Sequence, residues 1–210
     1  MKNINFEEEI NELENINITE NFVVRTGNIP ILFTAVHTMN QKKDDGSIKY
    51  MESYTKAIAL YLNKHANVNC MVKINDTGFD SNVDNRDDFK KELIRFVKEN
   101  NILLVIDLHG SKYERDYDIE FGTLNNLSAD YTTIKELEES FRENGIKNIK
   151  YNDPFKGGAI TQYLFNLKDV DVIQLEINKR FRDYNNINNL EVFCQSFIDF
   201  IVKYNNKVNK

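Results

Sequence analysis

The 210 residues carry 41% hydrophobic and 29% charged side chains, a balance that excludes both a disordered chain and a membrane-embedded one. Lys and Arg number 27 against 33 Asp and Glu, giving a net charge of -6, and the basic residues are scattered, so no nucleic-acid footprint is present. The length suits one domain with a proper core.

The first residues are acidic and polar, where a signal peptide needs a basic start and an apolar run, so cytoplasmic residence is the expectation. Phe6, Ile10 and Leu13 have helical spacing, but the Asn-rich stretch after them predicts that residues 1–18 form a loosely attached arm. Cys70 and Cys194 lie in separate apolar stretches without knuckle spacing and read as buried free thiols.

Beyond the arm, short apolar runs alternate with stretches of helical period, the pattern of an α/β domain with a buried, largely parallel sheet. Ile31 to Val36 ends in His37, Val68 to Ile74 leads into Asn75-Asp76-Thr77-Gly78, Ile102 to Leu108 ends in His109-Gly110, and Val170 to Ile177 contains Glu176. Each reads as a buried strand with a polar exit. Helices are expected through Tyr54, Ile58, Tyr61 and Leu62, through Phe89, Leu93, Phe96 and Val97, and through Ile134, Leu137 and Phe141. A closing helix should run from Leu190 to Tyr204, its apolar residues repeating every three or four positions.

Ligands of open α/β sheets sit beyond the carboxyl ends of the strands. His37, His109 and Glu176 lie at or near three such ends, so two imidazoles and a carboxylate should meet at one edge. His65 follows Asn63-Lys64 at a helix C-terminus, where partial positive charge is favourable, and reads as structural. A catalytic zinc site wants about three protein ligands and an open position for water. Glu52 is the candidate third ligand, brought back by a loop containing Asp44, Asp45 and Gly46, although a glutamate in a first helical turn is also favoured by the helix dipole. Asp107 precedes His109 by two residues and in a strand shares its face, so it could orient the imidazole or itself bind the ion. Glu176, between Leu175 and Ile177, needs a partner in so apolar a strand. Lys179, Arg180 and Arg182 follow it, cations suited to a substrate carboxylate or a scissile carbonyl.

Asn82-Val83-Asp84-Asn85-Arg86 lacks the terminal glutamate of an EF-hand, which leaves Asn82, Asp84 and Arg86 as residues that could reach a substrate or merely cap the next helix. Gly157-Gly158 permits close backbone approach to a ligand, as well as an ordinary turn.

In order, His37-Thr38-Met39-Asn40-Gln41, Lys49-x-x-Glu52-x-x-Thr55, Ile106-Asp107-Leu108-His109-Gly110, Phe155-Lys156-Gly157-Gly158 and Gln174-Leu175-Glu176-Ile177-Asn178 resemble the N-formylglutamate amidohydrolase-like family over most of residues 30–183. The resemblance extends to zinc carboxypeptidases and aspartoacylase-type deacylases. It implies a three-layer α/β/α sandwich around a mixed, largely parallel sheet, with one zinc per chain on His37, Glu52 and His109 and with Glu176 as the catalytic carboxylate. Asn178 falls inside the last motif and is a candidate substrate contact. One departure stands out: the zinc carboxypeptidases carry their glutamate ligand three residues after the first histidine, where this chain has Asn40.

The expected activity is metal-assisted hydrolysis of an amide in a small carboxylate-bearing substrate, an N-acyl amino acid or short peptide. Two rivals are a non-catalytic binding protein for an acidic metabolite and a magnesium phosphoesterase built on Asp76, Asp107, Glu120 and Glu176. The paired histidines speak against the second.

Overall fold

The computed structural model describes residues 5–43, 45–84, 86, 88–167 and 169–209; Asp44 and Asn85, named above, lie outside them. The chain folds as α1 (Phe6–Glu14), β1 (Phe22–Arg25), β2 (Ile29–Ala35), the short pair β3 (Gln41–Lys42) and β4 (Ile48–Lys49), α2 (Thr55–Ala66), β5 (Val68–Lys73), α3 (Asp88–Glu99), β6 (Leu104–Ser111), β7 (Ile119–Gly122), α4 (Tyr131–Glu143), β8 (Ile149–Tyr151), α5 (Ala159–Phe165), β9 (Asp171–Asn178) and α6 (Ile187–Val208).

Seven strands form one mixed sheet in the order β1-β5-β2-β6-β9-β7-β8. Its centre, β5-β2-β6-β9, is parallel, while β1 and β7 pair antiparallel with β5 and β9. The four apolar runs read from the sequence are these central strands. The outer strands β1, β7 and β8 have no comparable run, being three or four residues long.

Side-chain alternation separates the two faces. Ile31, Phe33, Leu104, Ile106, Ile173 and Leu175 join the larger core with α1, α2, α4 and α6. Leu32, Val36, Val105 and Val172 join a smaller one with α3 and α5, which makes the three layers. Edge-to-face contacts lock the larger core, among them Phe33 on Phe197 and Phe141 on Phe197 at 4.9 and 5.2 Å between centroids.

The connection from β2 runs outward to β5, and the next strand, β6, returns on the other side of β2. The chain therefore reverses direction between β2 and β6, and a crevice opens beyond their carboxyl ends. His37 follows β2 and His109 lies near the end of β6. On the smaller-core face the register aligns His109, Glu176 and Glu120 side by side across β6, β9 and β7.

The N-terminal segment departs from the expected loose arm. Asn5 caps α1 by accepting the Glu8 N–H at 2.8 Å, and Ile10 and Leu13 are buried in the core. Glu9 meets His65 at 2.9 Å, so the structural histidine is held by α1 as well as by its place at the end of α2. Glu14 accepts the N–H groups of Tyr54 and Ala57 at 2.9 and 3.3 Å. It thereby caps α2, whose own cap residue Tyr54 is left-handed and offers no side-chain acceptor. Helical period was visible in this segment, but its partners lay too far along the chain to be read from spacing.

Ile10→Ala is expected to lower unfolding stability by about 2–5 kcal/mol in urea titration, the range for emptying a buried aliphatic site. A loose arm would give less than about 0.5 kcal/mol.

Candidate metal centre

His37, Glu52 and His109 are all buried, at 3%, 6% and 3% exposure, and offer ligand atoms within 4.8 Å of one another. The Glu52 carboxylate lies between the imidazoles: Oε1 is 3.2 Å from His37 Nδ1, and Oε2 is 3.3 Å from His109 Nδ1. The ring centroids are 4.9 Å apart.

The opposite ring nitrogens are also held. His37 Nε2 lies 3.0 Å from Asp80 Oδ1, and His109 Nε2 lies 2.9 Å from Asp107 Oδ2. Asp107 in turn accepts the Thr34 hydroxyl at 2.6 Å. Each ring is thus anchored through Nε2 to an aspartate and presents Nδ1 to Glu52; with a cation bound and Nε2–H donated to the aspartate, both Nδ1 lone pairs would be free for the ion, the arrangement of carboxylate-oriented metal-binding histidines. Two imidazoles and one carboxylate form a donor set that fits a divalent ion of zinc's type. Asp107 is thus on the far side of His109 from the cluster. Asp80 does the same for His37, and nothing in its Gly78-Phe79-Asp80 context signals that role.

Several contacts deliver Glu52. Its N–H donates to the His37 carbonyl at 2.7 Å, the Thr55 hydroxyl donates to its carbonyl at 2.8 Å, and Lys49 Nζ and the Gly110 N–H donate to its carboxylate at 2.6 and 2.9 Å. Asn40 accepts the Met51 N–H at 2.9 Å. The residue at the alternative ligand position therefore secures the loop that presents Glu52.

Burial alone would push the Glu52 carboxyl up, but the charge of His109 and hydrogen bonds from both histidines hold it well below the usual range. Burial likewise disfavours a charged His109, and Asp107 and Glu52 overcome it, raising its pKa. A bound cation would take over the role of that proton.

Glu176 lies beside His109 in register and is buried. Burial and the Glu52 charge raise its pKa against the opposing pull of His109. Gln174 Nε2 donates to its Oε1 at 2.8 Å, and Gln174 also accepts the Gly158 N–H. Gln174 is two residues from Glu176 on the same face, the spacing that drew attention to Asp107, and the same rule would have found it.

A cleft of about 600 Å³ opens over the cluster, with Glu176, Asn82, Phe155 and Gly158 in its wall. Asn82 Oδ1 is buried and has no partner among the described residues. A Cβ on Gly158 would sit 2.6 Å from Gln174 Oε1 and displace that amide, while Gly157, with a φ of +116°, needs glycine.

Other expected contacts fall elsewhere. Arg182 is buried and donates to the carbonyls of Ile177, Ser53 and Ser111 at 3.1, 3.1 and 2.9 Å. It passes beneath Gly110, where a Cβ would lie 2.3 Å from its guanidinium carbon, and it braces the strand ends instead of facing the cleft. Arg180 donates to the Arg115 and Tyr117 carbonyls and pairs with Asp118 at 3.4 Å. Asn178 is fully buried, donating to the carbonyls of Tyr113, Arg115 and Tyr117. Arg86 is paired with Asp84 and stacked on Phe79, away from the cleft lining. The cations that line the cleft are Lys49, Lys112 and Arg115. Lys112 and Arg115 come from the irregular loop after β6, which carries no period and no motif.

Residues 86–181 match the N-formylglutamate amidohydrolase family. Over this segment the resemblance to N-formylglutamate amidohydrolases is borne out, and with it the reaction class, hydrolysis of amide bonds; the His37 and Glu52 motifs lie outside it. The matched segment contains His109, Glu176 and the Gly157-Gly158 loop. Among solved structures, the N-formylglutamate amidohydrolase of Ralstonia eutropha JMP134 is 14% identical, with 89% of this chain and 98% of that one covered at a TM-score of 0.67. A bacteriophage poly-γ-glutamate hydrolase is 14% identical over 93% and 95% of the two chains at 0.60. A gene product of Agrobacterium tumefaciens is 12% identical over 90% and 95% at 0.58. These likenesses establish a shared fold. Among curated proteins, none matches. No helix in the described residues is long and apolar enough to cross a membrane.

Asp80→Ala and Asp107→Ala are each expected to weaken metal binding about 10–100-fold in a chelator competition, by releasing one imidazole. Because the raised pKa keeps His109 protonated in the metal-free protein, binding should expel a proton. Apparent affinity should fall as pH falls, by up to about tenfold per unit below that pKa, checked by the same competition at about pH 6 and about pH 8.

Proposed function

We propose that this chain is a zinc-dependent amidohydrolase that cleaves an amide bond in a small carboxylate-bearing substrate, an N-acyl amino acid or short peptide. The observation that carries the reading is the convergence of the two imidazole Nδ1 atoms on Glu52, each ring oriented by its own aspartate, beside a buried carboxylate that the metal set leaves free. One zinc on His37, Glu52 and His109 would acidify water and polarise the scissile carbonyl.

Glu176 supplies the proton chemistry. Its raised pKa makes its carboxylate a stronger base than that of an exposed glutamate, suited to accept the proton of the attacking water. It then passes that proton to the leaving nitrogen, and Gln174 fixes one carboxylate oxygen while it does so. The unpartnered Asn82 Oδ1 is an acceptor suited to a substrate N–H. Lys112 and Arg115 supply positive charge on the same wall, the role first expected of Arg180 and Arg182. Two structural neighbours have names that include glutamate, which makes N-formyl-L-glutamate the first substrate to test.

The rival readings lose their footing in the geometry. Asp76 accepts from Gly78 at 2.9 Å and does not line the cleft, so the proposed magnesium set is not assembled. Asn40, the departure from the zinc carboxypeptidase pattern, serves the loop that brings Glu52 in.

Protein purified without added metal should carry about one zinc per chain by elemental analysis. Glu176→Gln should retain that zinc and lose N-formyl-L-glutamate hydrolysis by at least about 100-fold, the lower range for removing a general acid-base group. Turnover at the original rate would overturn the role of Glu176.

A further inference from the structure

We propose that Arg115, Phe155 and Glu120 form one assembly that grips the substrate carboxylate, with Arg115 as the contacting cation and Glu120 as a positioning residue. This inference rests on the amidohydrolase reading and names the part of the cleft that selects the substrate.

Of the three cations in the cleft wall, Lys49 is paired with Glu52 at 2.6 Å. Among the described residues, the guanidinium of Arg115 makes no hydrogen bond or ion pair; it rests against the Phe155 ring, 5.3 Å from guanidinium carbon to centroid, and feels the charge of its neighbour Asp116. A guanidinium held across an aromatic face keeps its planar fork of donors for a carboxylate. Lys112 offers a single ammonium on a flexible stem.

The assembly is fixed from both sides. The Arg115 carbonyl accepts from Arg180 Nη2 at 2.9 Å and from Asn178 Nδ2 at 3.2 Å, which ties its loop to the end of β9. The Phe155 N–H donates to Glu120 Oε1 at 2.7 Å, which ties its loop to β7. Glu120 is fully buried, pairs in register with Glu176, and leaves Oε2 without a partner among the described residues. A buried carboxyl is costly unless hydrogen-bonded, and the bond it accepts from the Phe155 N–H sets the place of the ring on which Arg115 rests. Burial, the largest influence, raises its pKa against the hydrogen bond from Phe155.

The test compares N-formyl-L-glutamate with its two monoamides, N-formyl-L-glutamine and N-formyl-L-isoglutamine. Binding to the zinc-loaded Glu176→Gln protein is measured by calorimetry, and hydrolysis by the zinc-loaded parent is measured in parallel. The diacid should bind at least about tenfold more tightly than one of the monoamides, the scale of one charged hydrogen-bonded contact. Added to Glu176→Gln, Arg115→Gln should abolish that preference, and Phe155→Ala and Glu120→Ala should cut it several-fold. Glu120→Gln, which keeps an acceptor oxygen, should retain it. A defect of folding alone would weaken diacid and monoamide alike and leave their ratio unchanged, and Phe155→Ala, on a partly exposed loop, tests the assembly should Glu120→Ala not fold. A preference that survives Arg115→Gln, or survives both Phe155→Ala and Glu120→Ala, overturns the assembly. If the parent hydrolyses none of the three while the binding preference follows the variants as stated, the assembly stands and the hydrolase reading falls.

Discussion

An ionised carboxylate placed between two buried imidazoles is the constraint on which this structure depends. Glu52 has almost no contact with water, so its charge must be balanced by the protein itself. Two imidazoles, a lysine and a backbone N–H do so. Their positions in turn require the crevice between β2 and β6, the glycine at position 110 and the arginine beneath it. The arginine that looked suited to a substrate is one of the supports of this arrangement. Its three carbonyl partners belong to the exit of β9, the end of β6 and the segment just before α2, so one guanidinium ties together the three pieces of chain that surround the cluster.

The sheet adds an ordering principle of its own. On the smaller-core face the apolar cover gives way to polar residues toward the carboxyl ends of β6 and β9. Asp107 and Gln174 occupy one row, and His109, Glu176 and Glu120 occupy the next. Adjacent strands therefore convert sequence positions more than fifty residues apart into neighbours, and the period of two along each strand puts a supporting residue directly behind a working one. Asp107 supports His109, and Gln174 supports Glu176, by the same geometry on different strands.

The legible parts of the sequence were those with local period or terminal position. Continuous apolar runs disclosed the four central strands, helical spacing disclosed α2, α3, α4 and α6, and the polar strand exits disclosed His37, His109 and Glu176. Glu52 became visible only through the ordered motifs of a family resemblance, because a glutamate before a helix has an ordinary explanation. Asp80, Lys112 and Arg115 lie in irregular loops whose direction is set by distant side chains, and such loops carry no period to read. Arg180, Arg182 and Asn178 were noticed for their chemistry and placed wrongly, since the sequence does not show which way a side chain turns after a strand ends. Their main-chain partners show that conspicuous polar residues near a site can be its scaffold.

The contact between Glu14 and the first turn of α2 ties the opening helix to the chemistry at one remove. That turn begins three residues after Glu52, and Tyr54, whose N–H Glu14 receives, stacks on Tyr184 at 6.2 Å, while Tyr184 donates to Glu7 at 2.8 Å. The segment after Glu52, the exit of β9 and α1 thus close a ring of contacts around the back of the site. Removal of the opening helix would strip the acceptor from two N–H groups directly behind Glu52, so the support of the histidine and glutamate cluster begins, in chain order, some twenty residues before the first imidazole.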